Sequence, residues 1–269
     1  LYRILLETDP AALLGWATRV EEAAGETAPL WTACVQHLAG TDPAGALGFA
    51  TRATGDLRGQ LIGAVFAEWT AHAPDPAIAA ARALEAEADR LAAFHAIGAK
   101  LLAADVAGSV EWILGMPHSD EQDLLLMQAM PAWGVEDPAS AAAFTAAEQE
   151  GDYKTLLSGR LARAWAQSNP AAAVAWSATL TAQEAREESL RAALETTAET
   201  DPARAAELAR TLPAPEDRMA ALEPVLSTWW ERDSAGLEAW ANRLPDPELR
   251  EHVGRMIRDQ RAVPGGASH

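Results

Sequence analysis

The sequence predicts an all-α chain: an α-α superhelix (solenoid) of about eight two-helix repeats of roughly 32 residues each. Three observations predict it. Alanine dominates a hydrophobic fraction of 49%, and it joins the best helix propensity to a side chain small enough for helices to approach closely. An Asp-Pro pair or a close variant recurs at Asp9-Pro10, Asp42-Pro43, Asp75-Pro76, Asp105-Val106, Asp137-Pro138, Asn169-Pro170, Asp201-Pro202 and Asp233-Ser234. An aromatic residue stands six positions past most of these pairs, at Trp16, Phe49, Trp112, Phe144, Trp176 and Trp240.

The steps between pairs are 33, 33, 30, 32, 32, 32 and 32 residues. The second member of each pair serves as an anchor. Six of the eight anchors are proline, where chance placement of 16 prolines in 269 residues would give fewer than one. Each repeat opens on helix A. Asp or Asn accepts a hydrogen bond from an orphan N–H at a helix start, and proline at the first helical position gives up an N–H that has no partner anyway. Helix A therefore starts near Asp9, Asp42, Asp75, Asp105, Asp137, Asn169, Asp201 and Asp233. Offsets of three, six and ten from the anchor share one helical face, as at Ala173, Trp176 and Leu180. Val20, Met116, Leu212 and Leu244 continue the same stripe in other copies. Helix A ends near Met116-Pro117, Leu212-Pro213 and Leu244-Pro245, because proline disfavours helical geometry in the residue before it.

Helix B follows. Ser119-Asp120-Glu121-Gln122 has capping-box spacing. Glu216 and Glu248 place negative charge at helix N-termini, which suits the helix dipole. Fourteen to sixteen residues past the anchor comes a basic residue, at Arg58, Arg90, Lys154, Arg186, Arg218 and Arg250, with Gln122 in the fourth copy. A second apolar stretch follows, for example Leu156, Leu157, Leu161 and Trp165, or Leu190, Ala193 and Leu194. Trp133, Trp165 and Trp229 each stand five residues before the next anchor. Links this short force neighbouring helices antiparallel. One helix pair cannot bury both its stripes, so the copies must stack into a continuous core, with the aromatic residues as wedges within it.

The array reads as a single domain over residues 1–262, followed by a flexible C-terminal tail at 263–269. Leu1 to Glu7 reads as the second half of a helix B whose partner lies upstream, so the chain is expected to be a trimmed or processed product. The last helix, Glu248 to Arg261, carries Arg250, Arg255, Arg258 and Arg261, as a polar capping face requires. Copies three and four deviate: Arg82 stands at an aromatic position and Val106 at a proline position. An unpaired charge is too costly to bury as a wedge. Helix A of copy three is therefore either rotated or slipped, so that Leu84 takes the place of Arg82.

The unit resembles tetratricopeptide-type repeats, in which a proline is likewise followed six positions on by Trp or a similar residue, as at Pro10/Trp16 and Pro170/Trp176. The resemblance covers nearly the whole chain. The period here is about 32 rather than the 34 of that family, and the family's small residue early in helix A is replaced by Val20, Leu180, Leu212 or Leu244. The pattern Asp-Pro-x-x-Ala-x-x-Trp also resembles arrays in bacterial proteins of no assigned activity. The resemblance implies a superhelix whose concave groove binds peptides or proteins. It transfers no ligand-binding residue.

The formal net charge of −18 argues against nucleic acid, which would require Lys and Arg to displace counterions, and against docking on anionic lipid. It permits a basic protein or peptide partner. The lone Cys34 excludes an intrachain disulfide and leaves the compartment open, and no apolar run is long enough for membrane insertion. The six histidines show no metal-ligand pairing, and the carboxylates near His118 (Asp120, Glu121, Asp123) lack the glycine and spacing of a calcium loop. Cys34 and His37 share a helix face but have no third group to orient them as a nucleophile and base. No nucleophile elbow or phosphate-binding loop is present. The expectation is therefore a non-enzymatic scaffold with no cofactor and no metal. Its candidate contacts are arginines near the end of helix A (Arg19, Arg52 and Arg243), which could meet acidic groups of a partner. The alternatives are a structural or oligomerisation spacer within a longer protein and, more remotely, an α-toroid enzyme.

Overall fold

The structure, a computed structural model, describes residues 28–262. The expectations for Asp9, Trp16, Arg19, the Leu1–Glu7 segment and the 263–269 tail fall outside the described residues. These residues form fourteen α-helices and contain no strand. In chain order the helices are α1 (Ala28–Ala39), α2 (Pro43–Ala50), α3 (Gly55–His72), α4 (Pro74–Arg82), α5 (Glu87–Ala104), α6 (Val106–Leu114), α7 (Asp120–Glu136), α8 (Pro138–Ala147), α9 (Asp152–Ser168), α10 (Pro170–Ser177), α11 (Gln183–Thr200), α12 (Pro202–Arg210), α13 (Pro215–Ala241) and α14 (Pro247–Ala262). The chain divides into two compact units at Ala129/Met130. In the first unit α3 packs against both α1 and α5, with the short helices α2, α4 and α6 on their flanks. In the second, α11 packs against both α9 and α13, with α8, α10 and α12 alongside and α14 against α13.

Short helices begin where the sequence places their caps. The carboxylates of Asp42, Asp105, Asp137 and Asp201 and the amide oxygen of Asn169 accept hydrogen bonds of 2.9–3.1 Å from the backbone N–H three residues on. Asp105 caps although Val106 follows it, so the cap acts without proline. Asp233 does the same for Gly236 at 2.8 Å, and its non-helical backbone (φ −155°, ψ 78°) breaks α13 into a long and a short segment. Asp75 differs. Pro74 occupies the first turn, Ala73 is the uncapped start, and Asp75 lies one position inside the helix. Pro74, two residues before Pro76, moves the boundary, because either proline satisfies the first turn.

The basic register pins the turns that follow the short helices. Arg90 donates to the carbonyls of Leu84 (2.8 Å) and Glu85, Arg186 to Leu180 (3.1 Å) and Thr181, Arg218 to Leu212 (3.2 Å), and Arg250 to Leu244 (3.0 Å). Arg58 donates to Thr51 O, and the buried Lys154 ammonium to Ala146 O and Glu148 O. Carbonyls at a helix end have no partner within the helix, and a long cation reaching back satisfies them. In the fourth position Gln122 does this work neutrally, with its side-chain amide donating to Ile113 O at 2.8 Å and Met116 O at 3.1 Å. The expected capping box is therefore only half formed. Ser119 Oγ accepts from Gln122 N at 3.3 Å, but the Gln122 side chain turns to the preceding helix instead of back to Ser119.

Two of these arginines also join consecutive long helices. Arg58 pairs with Asp89 at 2.6 Å and Arg186 with Asp217 at 3.0 Å. Both aspartates are buried while their arginines are partly exposed. Each aspartate sits one residue before the next member of the basic register. Glu121 holds the same place before Gln122. A hydrogen bond with Ser119, then one to the backbone, aided by the charges of Arg82 and Arg90, holds its carboxyl below the usual range against the opposing pull of burial.

The two tryptophan registers meet. Trp133 packs on Phe144, Trp165 on Trp176 and Trp229 on Trp240, with ring centroids 5.6–6.1 Å apart and planes tilted by 42–48°. The wedges are buried or half-buried among alanine and leucine, as the sequence implies. Arg82 is exposed and Leu84 half-buried, so the charge stays out of the core. Small residues set the closest approaches between long helices. A Cβ on Gly134 would stand 2.8 Å from Leu161 Cδ1, and one on Gly159 would stand 2.9 Å from Glu188 Cγ.

Candidate binding cleft

In the second unit, α12 and the short segment of α13 bound an open cleft of about 620 Å³. Its apolar surface comes from Ala203, Trp240, Leu244 and Pro245. Its charge comes from three arginines, Arg204, Arg210 and Arg243, against Asp201 and Glu207. The spacing of Arg204, Glu207 and Arg210 places them on one face of α12. The Asp233 cap starts the segment that carries Trp240, and the loop after it carries Arg243.

Glu207 is fully engaged. Its Oε1 accepts from the Trp240 indole N–H at 2.6 Å, and its Oε2 from Arg210 at 2.7 Å. Burial pushes this carboxyl up, but the hydrogen bonds from Trp240 and Arg210, with the charges of Arg210 and Arg243, outweigh it and hold the group below the usual carboxylate range. Asp201 is spent as a cap on the Arg204 N–H. The Arg204 and Arg243 guanidinium groups make no hydrogen bond or ion pair among the described residues. Two unpaired guanidiniums beside an indole and a leucine can form bidentate, charge-assisted hydrogen bonds to an oxyanion while an apolar group packs beneath.

Of the sequence-selected arginines, Arg243 lies in this cleft. Arg52 is exposed in the first unit, in the turn after α2, with its guanidinium 5.0 Å from the Phe49 ring centroid, a cation–π contact that holds it against that helix. Arg19 falls outside the described residues. Arg204 and Arg210 were not singled out from sequence, although their i, i+3, i+6 spacing with Glu207 was the available signal.

A second open cleft, about 480 Å³, lies where α9 and α11 begin, and Glu150, Glu184 and Glu187 line it. Glu150 pairs with Lys154 at 3.1 Å and Glu187 accepts from Gln183 at 2.7 Å. Cys34 is buried, and burial pushes its thiol up to about 11, while His37 is exposed. His118 is exposed with its Nδ1 3.8 Å from Asp123. Among the described residues no three metal-ligating side chains converge, and no helix is long and apolar enough to cross a membrane. No known family model, curated protein or solved structure matches the chain.

Proposed function

We propose that the chain is a tetratricopeptide-like α-α superhelix of about eight two-helix units that acts as a non-enzymatic scaffold for a protein or peptide. The packing of long helix on long helix within each unit, with short helices alongside, supports the superhelical reading. So do the cap and carbonyl contacts that recur at the spacing of the sequence repeat. The observation that carries the binding reading is the cleft bearing the unpaired Arg204 and Arg243. Unpaired guanidiniums beside apolar surface contribute nothing evident to folding and suit recognition of a partner.

Panning a random peptide display library on the immobilised chain tests this reading. Related sequences should be recovered, and their binding should survive a cap substitution such as Asn169→Ala. Recovery of no related sequences, or binding that disappears with cap and surface substitutions alike, would overturn the scaffold reading.

A further inference from the structure

We infer that the Arg204/Arg243 cleft selects an acidic segment in which side-chain carboxylates flank an apolar residue. This rests on the scaffold reading and names the chemistry of its partner.

Charge comes first. The chain has a net charge of −18, and several of its arginines are held by carboxylates. Arg191 is held by Glu188 and Glu195, Arg186 by Asp217 and Arg58 by Asp89. In the cleft, Glu207 is neutralised by Arg210 and fixed by Trp240, so its carboxylate cannot swing over to Arg204 or Arg243. Among the described residues, the Arg204 and Arg243 guanidiniums are left without an ion pair while Glu207 is held by Arg210 and Trp240. Carboxylate fits the planar guanidinium fork with two parallel hydrogen bonds.

The apolar floor comes second. Trp240, Leu244 and the exposed Pro245 line the cleft with the arginines, which favours a segment that carries a leucine-like side chain beside its acids. The cleft lining contains no Asn, Gln, Ser or Thr side chain to grip a peptide backbone. Polar contacts to a bound segment therefore come from the arginines. A nucleic-acid strand would bring its phosphates up against the acid surplus of the rest of the chain, which opposes it.

The probe is a fluorescent hexapeptide of alternating Glu and Leu, acetylated and amidated, titrated with the full chain and read by polarisation. The comparison peptides are its Gln/Leu counterpart, blocked, and the same Gln/Leu peptide with a free C-terminal carboxylate. The Glu/Leu peptide should bind, weaken with salt, and lose at least about tenfold in affinity to an Arg204→Gln/Arg243→Gln chain, the loss expected for charge-assisted hydrogen bonds. Arg191→Gln, which removes a paired arginine elsewhere, should leave binding unchanged. A charge-reversed Arg204→Glu/Arg243→Glu chain should instead prefer a Lys/Leu peptide, and this swap shows that the variant chain is folded. Equal binding of the blocked Gln/Leu peptide, dependence on the free C-terminus alone, or tighter binding of single-stranded DNA would each overturn the inference. So would an unchanged affinity in the double variant. If the display experiment returns related peptides while the Glu/Leu probe fails, this inference falls and the scaffold reading stands. If neither binds, both fall.

Discussion

Around Trp165 and Trp176, a long helix and the short helix after it are joined by two aromatic rings 6.1 Å apart. Around Arg82 the same two positions are filled differently. The residue eleven before Arg82 is Ala71, so both aromatics are missing together. Arg82 faces solvent, and its charge acts on Glu121 instead. The nearby aromatics of α3, Phe66 and Trp69, stack on each other within one helix at 5.7 Å. Where both rings are present they pack on each other, whereas Phe49 and Trp112 have Leu38 and Leu101 eleven residues before them. In an intact pair each ring fills the space beside the other, so removing one leaves a cavity beside its partner.

Removing one ring from an intact pair tests this most severely. Trp229→Ala should lower unfolding stability by about 3–5 kcal/mol, while Arg82→Ala should change it by less than about 0.5 kcal/mol. Urea unfolding followed by far-UV circular dichroism checks both, and equal losses would break the comparison. The carbonyl staples come next. Arg186→Met removes the bonds to the Leu180 and Thr181 carbonyls and strands the buried Asp217, for a loss of about 2 kcal/mol after discounting the partial exposure of Arg186. Arg90→Met, whose carboxylate neighbour is the less buried Glu121, should lose about 1 kcal/mol. A double-mutant cycle of Arg186 with Asp217 measures the coupling directly.

The caps should separate the regions by a smaller margin. Asp201→Ala should cost about 1 kcal/mol. Asp75→Ala should cost under about 0.5 kcal/mol, because Asp75 caps nothing. Glu207 is expected to have the smallest effect, visible as a pH dependence. Its carboxyl is lower in the folded chain than in the unfolded one, so the unfolded state binds the proton more readily. Its contribution is present above the ordinary carboxylate range and is lost as pH falls through the folded value. The stability difference between the wild type and Glu207→Gln should therefore be flat near neutrality and shrink below about pH 4. A difference that grows on acidification would reverse the assignment.

The caps at Asp42, Asp105, Asn169 and Asp201 were legible because capping is local: donor and acceptor lie three residues apart. The basic register was legible as a recurrence but not as a function. The carbonyls it satisfies lie in the turn after another helix, which depends on how the two helices cross. Gln122 read as part of a capping box because its spacing from Ser119 allows one, and a nearer set of unsatisfied carbonyls took its side chain. Arg243 was selected from its position near a helix end. Its cleft partners Arg204 and Glu207 lie 39 and 36 residues earlier in the chain and become neighbours only through packing.

Helix content and boundaries follow from alanine, Asp-Pro caps and a 3.6-residue apolar period, all of which act within a few residues of chain. The pairing of Trp229 with Trp240, the burial of Asp89 and Asp217, and the freeing of two guanidiniums beside Glu207 belong to the tertiary structure. Each depends on which side chains from separate helices compete for the same partner. That competition is settled by distance and burial, and sequence spacing fixes neither.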